Sequence, residues 1–296
     1  MKAIVLAGDK NYLTPMLTTI KSILYYNQHV KIYILHQNIP SDWFHEVKIQ
    51  VERLGSLVED IFIGDVIDPE WKTQGHISPI AYARYLIPRL ITEDRVVYLD
   101  SDIIVRGDLS PLFELDLGDY SLAAVRDADG NGFNSGMLVI DSPKWRAKDI
   151  TTMLFDKTVE YMSGIEQATP EGFNGDQTIF NLVFQHRWLE LDKSFNLQVG
   201  HDLVAFYSHW DSHFELDKEP LIIHYTTYRK PWSTLMGYRY RDLWWAFRDV
   251  SYEQIADHYA GRFTIKRVYD LHNINLFTFT DSQDFIYIDE LAQALP

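Results

Sequence analysis

Two aspartates that follow an apolar run are the residues whose types and spacing point most directly to chemistry. The run 95–99 predicts a buried strand, and Asp100 and Asp102 come directly after it. Residues i and i+2 of an extended segment point to the same side, so the two carboxylates are predicted to face one point beyond the strand. Paired carboxylate oxygens suit a hard cation such as Mn²⁺ or Mg²⁺, and such a cation suits a diphosphate. The alternative is a solvated turn, in which aspartate is common.

The elements that would position these aspartates begin with a β-α-β-α-β order. Apolar runs predict strands at 2–7, 30–35 and 58–63, and helical spacing predicts two helices between them, capped by Thr14 and by Ser41. This order predicts a doubly wound α/β fold, with a mainly parallel sheet flanked by helices. In such folds ligands bind beyond the carboxyl ends of the strands, where the aspartates fall.

The rest of the chain adds further elements and a distinct C-terminal segment. The patterns predict a turn through 103–108, strands at 121–125, 137–140 and 221–224, helices from Ser78 and at 151–161 and 242–250, a short helix capped by Asp176, and a capping box at Ser251 and Gln254. The segment 263–296 contains a strand pattern and then a helix pattern. We therefore predict a domain at 1–262, followed by either a C-terminal helical extension or the start of a further module of a longer protein.

The composition excludes several classes of protein. The 296-residue chain carries 27 basic and 42 acidic side chains, a formal charge of −15, which argues against a nucleic-acid partner. It has no cysteine, which excludes disulfides, thiolate zinc sites and a cysteine nucleophile. The N-terminus lacks a signal-peptide layout, and no apolar run approaches the length of a transmembrane segment. We therefore expect a cytoplasmic protein.

Further polar residues fall at predicted strand ends, and together they carry a resemblance to a known family. Six segments in order resemble glycosyltransferase family 8, the retaining nucleotide-sugar transferases of GT-A (Rossmann-like) fold, over about residues 1–235. They are Ala7-x-Asp9-x-x-Tyr12, the helix 78–85, Tyr98-Leu99-Asp100-Ser101-Asp102, the segment 133–140 that begins Phe133-Asn134-Ser135-Gly136, Asn174-Gly175-Asp176-Gln177, and His224-Tyr225 followed by Lys230-Pro231-Trp232.

The resemblance implies a role for each of these residues. Asp100, Asp102 and His224 would bind Mn²⁺, with Mg²⁺ as the alternative, and Lys230 would contact the phosphates of a UDP-sugar. The uridine would contact Ala7, Asp9, Tyr12 and Ser101. The sugar hydroxyls would contact Arg84, Asp127, Asn134, Asp176 and Gln177. Of these, Asp176 and Gln177 would be the catalytic residues, because they would lie nearest the anomeric carbon. Without the family pattern, simpler interpretations stand: a core tyrosine, a strand-end histidine, a paired arginine, a helix-capping aspartate and a solvated lysine.

One position departs from the family pattern. The family segment usually reads His-x-x-Gly-x-x-Lys-Pro-Trp, and Thr227 stands here in place of the glycine. Threonine offers its backbone N–H to a phosphate without strain only at negative φ. We therefore expect a phosphate contact at Thr227 that differs in detail, with the histidine and the lysine of the motif intact.

The function that the resemblance implies is transfer of a hexose, glucose or galactose, from a UDP-sugar to a hydroxyl of a glycan or a glycosylated protein, with retention of configuration. Aromatic residues at 206–214 and around Trp232, Tyr238 and Tyr240 are candidate acceptor contacts or a packed core. One alternative is a nucleotidyltransferase, but the loop 8–12 lacks the glycine-rich, basic character that it needs. The other alternative is a protein that binds a sugar nucleotide without turnover.

Overall fold

The computed structural model describes residues 1–73, 77–164, 173–200, 218–228, 230–232 and 239–265. The C-terminal strand and helix patterns lie outside the described residues, as do Tyr238 and the aromatic residues of 206–214. The boundary between a domain at 1–262 and a following segment therefore stays a prediction.

A seven-stranded mixed sheet forms the centre of the fold, in the order β3-β2-β1-β4-β7-β6-β8. The first four strands along the chain are parallel to one another, whereas β7 runs antiparallel between β4 and β6. Its strands are β1 (Lys2–Ala7), β2 (Val30–His36), β3 (Leu57–Phe62), β4 (Arg95–Leu99), β6 (Leu122–Arg126), β7 (Phe133–Asp141) and β8 (Leu189–Leu191). The predicted α/β class with a mainly parallel sheet is confirmed.

A second, three-stranded sheet carries part of the cleft described below. It consists of β5 (Ile103–Val105), β10 (Ile222–Tyr225) and β9 (Leu197–Val199), in the order β5-β10-β9. The prediction of a simple turn through 103–108 was wrong at its start, because β5 pairs antiparallel with β10 and places His224 opposite Ile103. This pairing brings a histidine from late in the chain next to the aspartates that precede β5.

Helices cover both faces of the central sheet. They are α1 (Leu13–Tyr26), α2 (Ser41–Arg53), α3 (Ile87–Leu90), α4 (Ser110–Glu114), α5 (Ser142–Ala147), α6 (Ile150–Ser163), α7 (Gly175–Phe184), α8 (Arg241–Asp249) and α9 (Tyr252–Tyr259), with 3₁₀ helices at Lys10–Tyr12, Pro79–Leu86 and Lys193–Phe195. None of the helices in the described ranges has the length and apolar character that a membrane crossing requires.

Three predicted helix caps were wrong, and one was confirmed. Tyr12, Pro40 and Asn174 occupy the N-cap positions that were predicted for Thr14, Ser41 and Asp176. In the first case a 3₁₀ turn capped by the Asp9 side chain continues directly into α1, so the helix begins before Thr14. The capping box of Ser251 and Gln254 is present, with both of its hydrogen bonds.

The core consists of two clusters, one on each face of the sheet. Along β1, Ile4 and Leu6 pack into one cluster with α1 and α8, whereas Val5 and Ala7 pack into the other with the 3₁₀ helix Pro79–Leu86. This alternation follows from the period of two along a strand, and burial on both faces explains why the strand is apolar throughout. The carboxyl ends of the strands are thereby held rigidly on one side of the sheet.

Candidate active site

A cleft of about 1470 Å³ opens at the carboxyl ends of the central strands. Every residue predicted to bind the metal or the donor lines it, whereas Trp232 and Tyr240, which were candidate acceptor contacts, do not. The predicted residues that line it are Ala7, Asp9, Tyr12, Arg84, Asp100, Ser101, Asp102, Asp127, Asn134, Asp176, Gln177, His224, Thr227 and Lys230. The fold thus brings together side chains that are up to 223 positions apart in the chain, from Ala7 to Lys230 (230 − 7 = 223).

Asp100, Asp102 and His224 form a cluster that could hold a metal ion. One ligand atom from each lies within 4.8 Å of the others. His224 Nε2 lies 3.3 Å from Asp102 Oδ1 and 3.6 Å from Asp100 Oδ2. Asp102 Oδ1 is buried and makes no hydrogen bond within the described residues, an arrangement that a cation would satisfy. Two carboxylates and one imidazole are a donor set that suits Mn²⁺.

Gly136 supplies the space in which this cluster forms, although the sequence analysis did not single it out as a site residue. A Cβ at this position would lie 2.2 Å from His224 Cε1 and 2.7 Å from Asp100 Oδ2. The Gly136 carbonyl also accepts a hydrogen bond from the Asp100 N–H, at 2.8 Å. Glycine inside a strand often marks such a close approach, and that signal was present in the Asn-Ser-Gly segment of β7.

Lys230 balances the charge of the cluster. Its Nζ donates to Asp102 Oδ2 at 2.6 Å and to the Tyr225 carbonyl at 2.7 Å. Burial raises the pKa of Asp102, but Lys230 and His224 outweigh burial and hold that pKa below its usual value. Asp102 is therefore ionised at neutral pH, as a metal ligand must be.

Arg84 lines the cleft between two carboxylates. Its guanidinium is 3.0 Å from Asp100 Oδ1 and 3.2 Å from Asp176 Oδ2, and its NH1 donates to the Ser135 carbonyl and hydroxyl. Burial lowers the pKa of Arg84, but the two aspartates outweigh it and raise that pKa. Arg84 was predicted to contact sugar hydroxyls, and the structure gives it a further task, which is to hold Asp100 and Asp176 in place.

A hydrogen-bond network extends from Arg84 through Ser135 to further side chains that line the cleft. Asn134 Nδ2 donates to Asp127 Oδ1 and to Gln177 Oε1, both at 3.1 Å, and Gln177 Oε1 also accepts the Ser135 N–H. Asp176 Oδ2 accepts the Ser135 hydroxyl at 3.2 Å. Burial raises the pKa of Asp176 to about 6, against the opposing charge of Arg84. These side chains are fixed by one another, so they present a pre-arranged polar surface to whatever enters the cleft.

The residues predicted for the uridine line the same cleft. Ser101 Oγ donates to the Ala7 carbonyl at 2.9 Å and so joins the ends of β1 and β4. Asp9 Oδ1 accepts the Asn11 N–H at 2.8 Å. The Tyr12 ring meets Trp232 edge-to-face, with 5.7 Å between ring centroids. The base contacts themselves stay predictions.

Thr227 adopts the backbone conformation of the glycine that it replaces. Its φ is +70°, in the left-handed region, where a β-branched residue is strained. Thr227 therefore does not have the negative φ at which it could offer its N–H without strain, and a phosphate contact at this residue stays a prediction. His224 and Lys230, on either side of Thr227 in the chain, lie 3.3 Å and 2.6 Å from Asp102, and the threonine takes this strained conformation between the two contacts.

Asp127→Asn is expected to raise the free energy of unfolding at pH 7.5 by on the order of 2 kcal/mol. Burial, then the charge of Asp129, raises the pKa of Asp127 from 3.8 to about 6. A raised carboxyl pKa means that the folded state binds the proton more tightly, so the wild type loses stability as pH rises from about 4 to about 6. Asparagine removes this cost and keeps an oxygen for Asn134.

Urea unfolding of both proteins at pH 7.5 and pH 4 measures this difference. The stability gain should be much smaller at pH 4, because the folded wild type then holds the proton and the unfolded carboxyl, near its ordinary pKa of 3.8, is about half protonated. An Asp127→Asn protein that is less stable than wild type at both pH values would contradict the raised pKa of Asp127 and the stability cost that follows from it.

Comparison with known proteins links this cleft to a family. Residues 3–235 match the profile of glycosyl transferase family 8. Glycosyltransferase GlyD of Streptococcus pneumoniae serotype 4 is 49% identical over 296 residues, which cover all of this chain and 36% of GlyD. The chain thus spans about a third of the length of that relative.

Two solved structures share the fold. The glycosyltransferase GlyE of S. pneumoniae TIGR4 superposes with a TM-score of 0.74 at 36% identity, over 88% of this chain and 64% of GlyE. The galactosyltransferase LgtC, solved with donor and acceptor sugar analogues, superposes with a TM-score of 0.64 at 24% identity, over 89% of this chain and 97% of LgtC. At that identity the second likeness concerns the GT-A fold alone.

Proposed function

This chain belongs to glycosyl transferase family 8, and we propose that it transfers a hexose, glucose or galactose, from a UDP-sugar to a hydroxyl of a glycan or a glycosylated protein. The observation that carries the proposal is the Asp100, Asp102 and His224 cluster, which shares one cleft with every residue predicted to contact the donor. The proposed reaction is Mn²⁺-dependent and retains the anomeric configuration.

The residues around the cluster supply the charge that a diphosphate requires. Asp100, Asp102 and His224 would hold the cation, which when bound supplies Lewis-acid stabilisation of the departing diphosphate. Lys230 places a second positive charge at the same wall, fixed by Asp102 and the Tyr225 carbonyl. A lysine ammonium suits this task because it acts as a compact point charge.

The sugar end of the cleft favours front-face attack over a covalent enzyme intermediate. Gln177 is a poor nucleophile, and its Oε1 already accepts two hydrogen bonds. Asp176 is buried and lies against Arg84 and Ser135, which hold its carboxylate. We therefore assign both residues to orientation of the sugar, with the acceptor proton passing to an oxygen of the departing diphosphate.

Asp176→Asn is expected to retain turnover within about 100-fold of wild type, together with the anomeric configuration of the product. Asparagine keeps the shape of the side chain and loses only the charge opposite Arg84. The measurement is kcat for transfer, with NMR of the product anomer. A loss of about 10⁵-fold or more, as removal of an enzymatic nucleophile causes, would instead assign a covalent role to Asp176.

The size of the cleft supports an acceptor that binds beside the donor. Pockets for a single small ligand usually measure about 300–1,000 Å³, and this cleft is larger, at about 1470 Å³.

Glucose and galactose differ in the orientation of a single hydroxyl. We propose that the side chains predicted to contact the sugar hydroxyls distinguish the two donors, and these are Asp127, Asn134, Asp176 and Gln177.

The proposal is tested by measuring UDP release and binding with UDP-glucose, UDP-galactose and UDP-N-acetylglucosamine. Each donor is assayed with Mn²⁺, with Mg²⁺ and with EDTA. We expect Mn²⁺-dependent UDP release from one of the two hexose donors and none with EDTA. Absence of UDP binding in the presence of Mn²⁺ would contradict the proposal.

Two other outcomes would favour the alternative functions. Tight UDP-sugar binding without turnover on any acceptor would indicate a sugar-nucleotide-binding protein. Release of pyrophosphate from a nucleoside triphosphate and a sugar 1-phosphate would indicate a nucleotidyltransferase.

A further inference from the structure

Asn196 is a buried amide directly behind the metal-binding cluster. It follows the 3₁₀ helix Lys193–Phe195, precedes β9, and is only 1% exposed. It does not line the cleft, so it is not positioned to touch a substrate there. Its side chain nevertheless bonds to His224 on one side and to Asn134 on the other, and so joins the two halves of the site.

The orientation of the Asn134 amide follows from its neighbours. Its Nδ2 faces Asp127 Oδ1 at 3.1 Å and Gln177 Oε1 at 3.1 Å, both of which accept. Its Oδ1 accepts the backbone N–H of Gly136, also at 3.1 Å. The oxygen of Asn134 therefore points toward Asn196.

The orientation of Asn196 follows in turn. Asn196 must present its amide nitrogen to Asn134 Oδ1, which lies 2.9 Å away. Its oxygen is then left for His224 Nδ1, at 3.1 Å, and an oxygen acceptor requires a proton on that ring nitrogen. With the proton on Nδ1, Nε2 is the ring atom that faces Asp100 and Asp102.

We propose that Asn196 is a positioning residue, which fixes the tautomer and the ring orientation of His224 so that Nε2 serves the cation. The inference rests on the proposed function, because it assumes that His224 is a metal ligand. Histidine ligands commonly donate their second N–H to a carbonyl or a carboxylate, and Asn196 supplies that acceptor from a side-chain amide. Asn196 also links His224 to Asn134, which in turn bonds to Asp127 and Gln177 among the residues predicted to contact the sugar.

The test is the Mn²⁺ affinity of the purified full chain in the absence of substrate. This affinity is measured by titration, with the EPR signal of free Mn²⁺ as the readout. Asn196→Ala is expected to weaken Mn²⁺ binding about 10- to 100-fold. Asn196→Asp keeps an oxygen for the Nδ1–H, and its second oxygen can donate to Asn134 Oδ1 when it carries a proton. This variant is therefore expected to bind Mn²⁺ within a few-fold of wild type. If the alanine variant does not fold, Asn196→Ser serves instead, since its hydroxyl is too short to reach His224.

Asn27→Ala is the matched control. Asn27 is also a buried amide with 1% exposure, and it binds Leu109 N–H and the Gly107 carbonyl. Its loss is expected to lower the melting temperature without changing Mn²⁺ affinity. Rescue by aspartate at position 196, together with an unaffected control, separates a positioning role from a purely structural one.

The remaining outcomes each overturn the inference. Wild-type Mn²⁺ affinity in Asn196→Ala would overturn it and leave the proposed function standing, provided that Asp102→Asn weakens Mn²⁺ binding. Equal losses in Asn196→Ala and Asn196→Asp would assign Asn196 a structural role only. Absence of Mn²⁺ binding by the wild type would overturn both the inference and the metal dependence of the proposed function.

Discussion

Asp102→Asn is expected to lower kcat/KM for Mn²⁺-dependent UDP release by about a thousandfold. Asp102 is one of three ligands in the proposed metal site, and a bound cation supplies several kcal/mol of transition-state stabilisation, at about 1.4 kcal/mol per tenfold in rate. Asparagine keeps the size of the side chain but removes the charge that faces His224 and Lys230. Initial rates at saturating Mn²⁺, with the best hexose donor, measure the effect.

The same substitution is expected to lower stability. Lys230 Nζ is buried and lies 2.6 Å from Asp102, and removal of one partner from a buried ion pair typically costs about 3–5 kcal/mol. Thermal unfolding of the metal-free protein measures this loss separately from activity. The loss of activity can be measured apart from the loss of stability, because mild conditions keep the variant folded during the assay. Added Mn²⁺ is not expected to restore activity, because it cannot replace the missing carboxylate charge.

Asp108→Asn is the matched control for Asp102→Asn. Asp108 also pairs with a lysine, Lys2, at 2.7 Å, but its side chain is 59% exposed and does not line the cleft. An exposed pair contributes little to stability, so both activity and melting temperature should stay near those of wild type. Asp102→Asn with wild-type activity under the same conditions would remove Asp102 from the metal site.

The first strands and the acidic loop could be predicted from the sequence because their signals are local. Positions 3–7 are apolar without interruption, and β1 has the predicted bounds. Arg95–Leu99 likewise forms β4 with Asp100 and Asp102 at its end. Strands that are buried on both faces leave such continuous runs, and the parallel order then determines where their carboxyl ends lie.

The second sheet could not be predicted in the same way. Strands β5 and β9 have three residues each, too few to show a period of two, and β5 depends on pairing with β10 more than a hundred positions later. Pairing across the fold determines these strands, and propensity along the chain does not. The helix caps failed for a different and local reason, because a neighbouring 3₁₀ turn and a proline set where two of the helices begin.

The residues that support the site were also beyond sequence patterns alone. Arg84 could be assigned to the cleft, but its contacts with Asp100 and Asp176 emerge only when three distant segments meet. Asn196 lies in a segment that carries no motif, and its importance follows from hydrogen bonds to residues 28 and 62 positions away, His224 and Asn134. Local composition reveals groups that touch a ligand more readily than groups that hold those side chains in place.

Gly136→Ala is expected to reduce Mn²⁺ affinity and kcat/KM by at least about 100-fold, although it changes no ligand. The new methyl group would lie 2.2 Å from His224 Cε1 and 2.7 Å from Asp100 Oδ2, distances that no real Cβ keeps. Gly136 cannot move away easily, because β7 pairs with β4 on one side and with β6 on the other. The ligands must therefore shift, and a displacement of about 1 Å at a reacting centre can cost about 100-fold.

Gly164→Ala separates this effect from a general cost of replacing glycine. Gly164 has φ −86°, and a Cβ there would meet its nearest atom, the Tyr161 carbonyl oxygen, at an ordinary 3.5 Å, so this variant should keep wild-type Mn²⁺ affinity. A Gly136→Ala protein that binds Mn²⁺ as tightly as wild type would mean that Asp100 and His224 do not close on one cation together. The cluster would then be a set of paired charges around Lys230 and Arg84, and the metal dependence proposed for the reaction would need a different site.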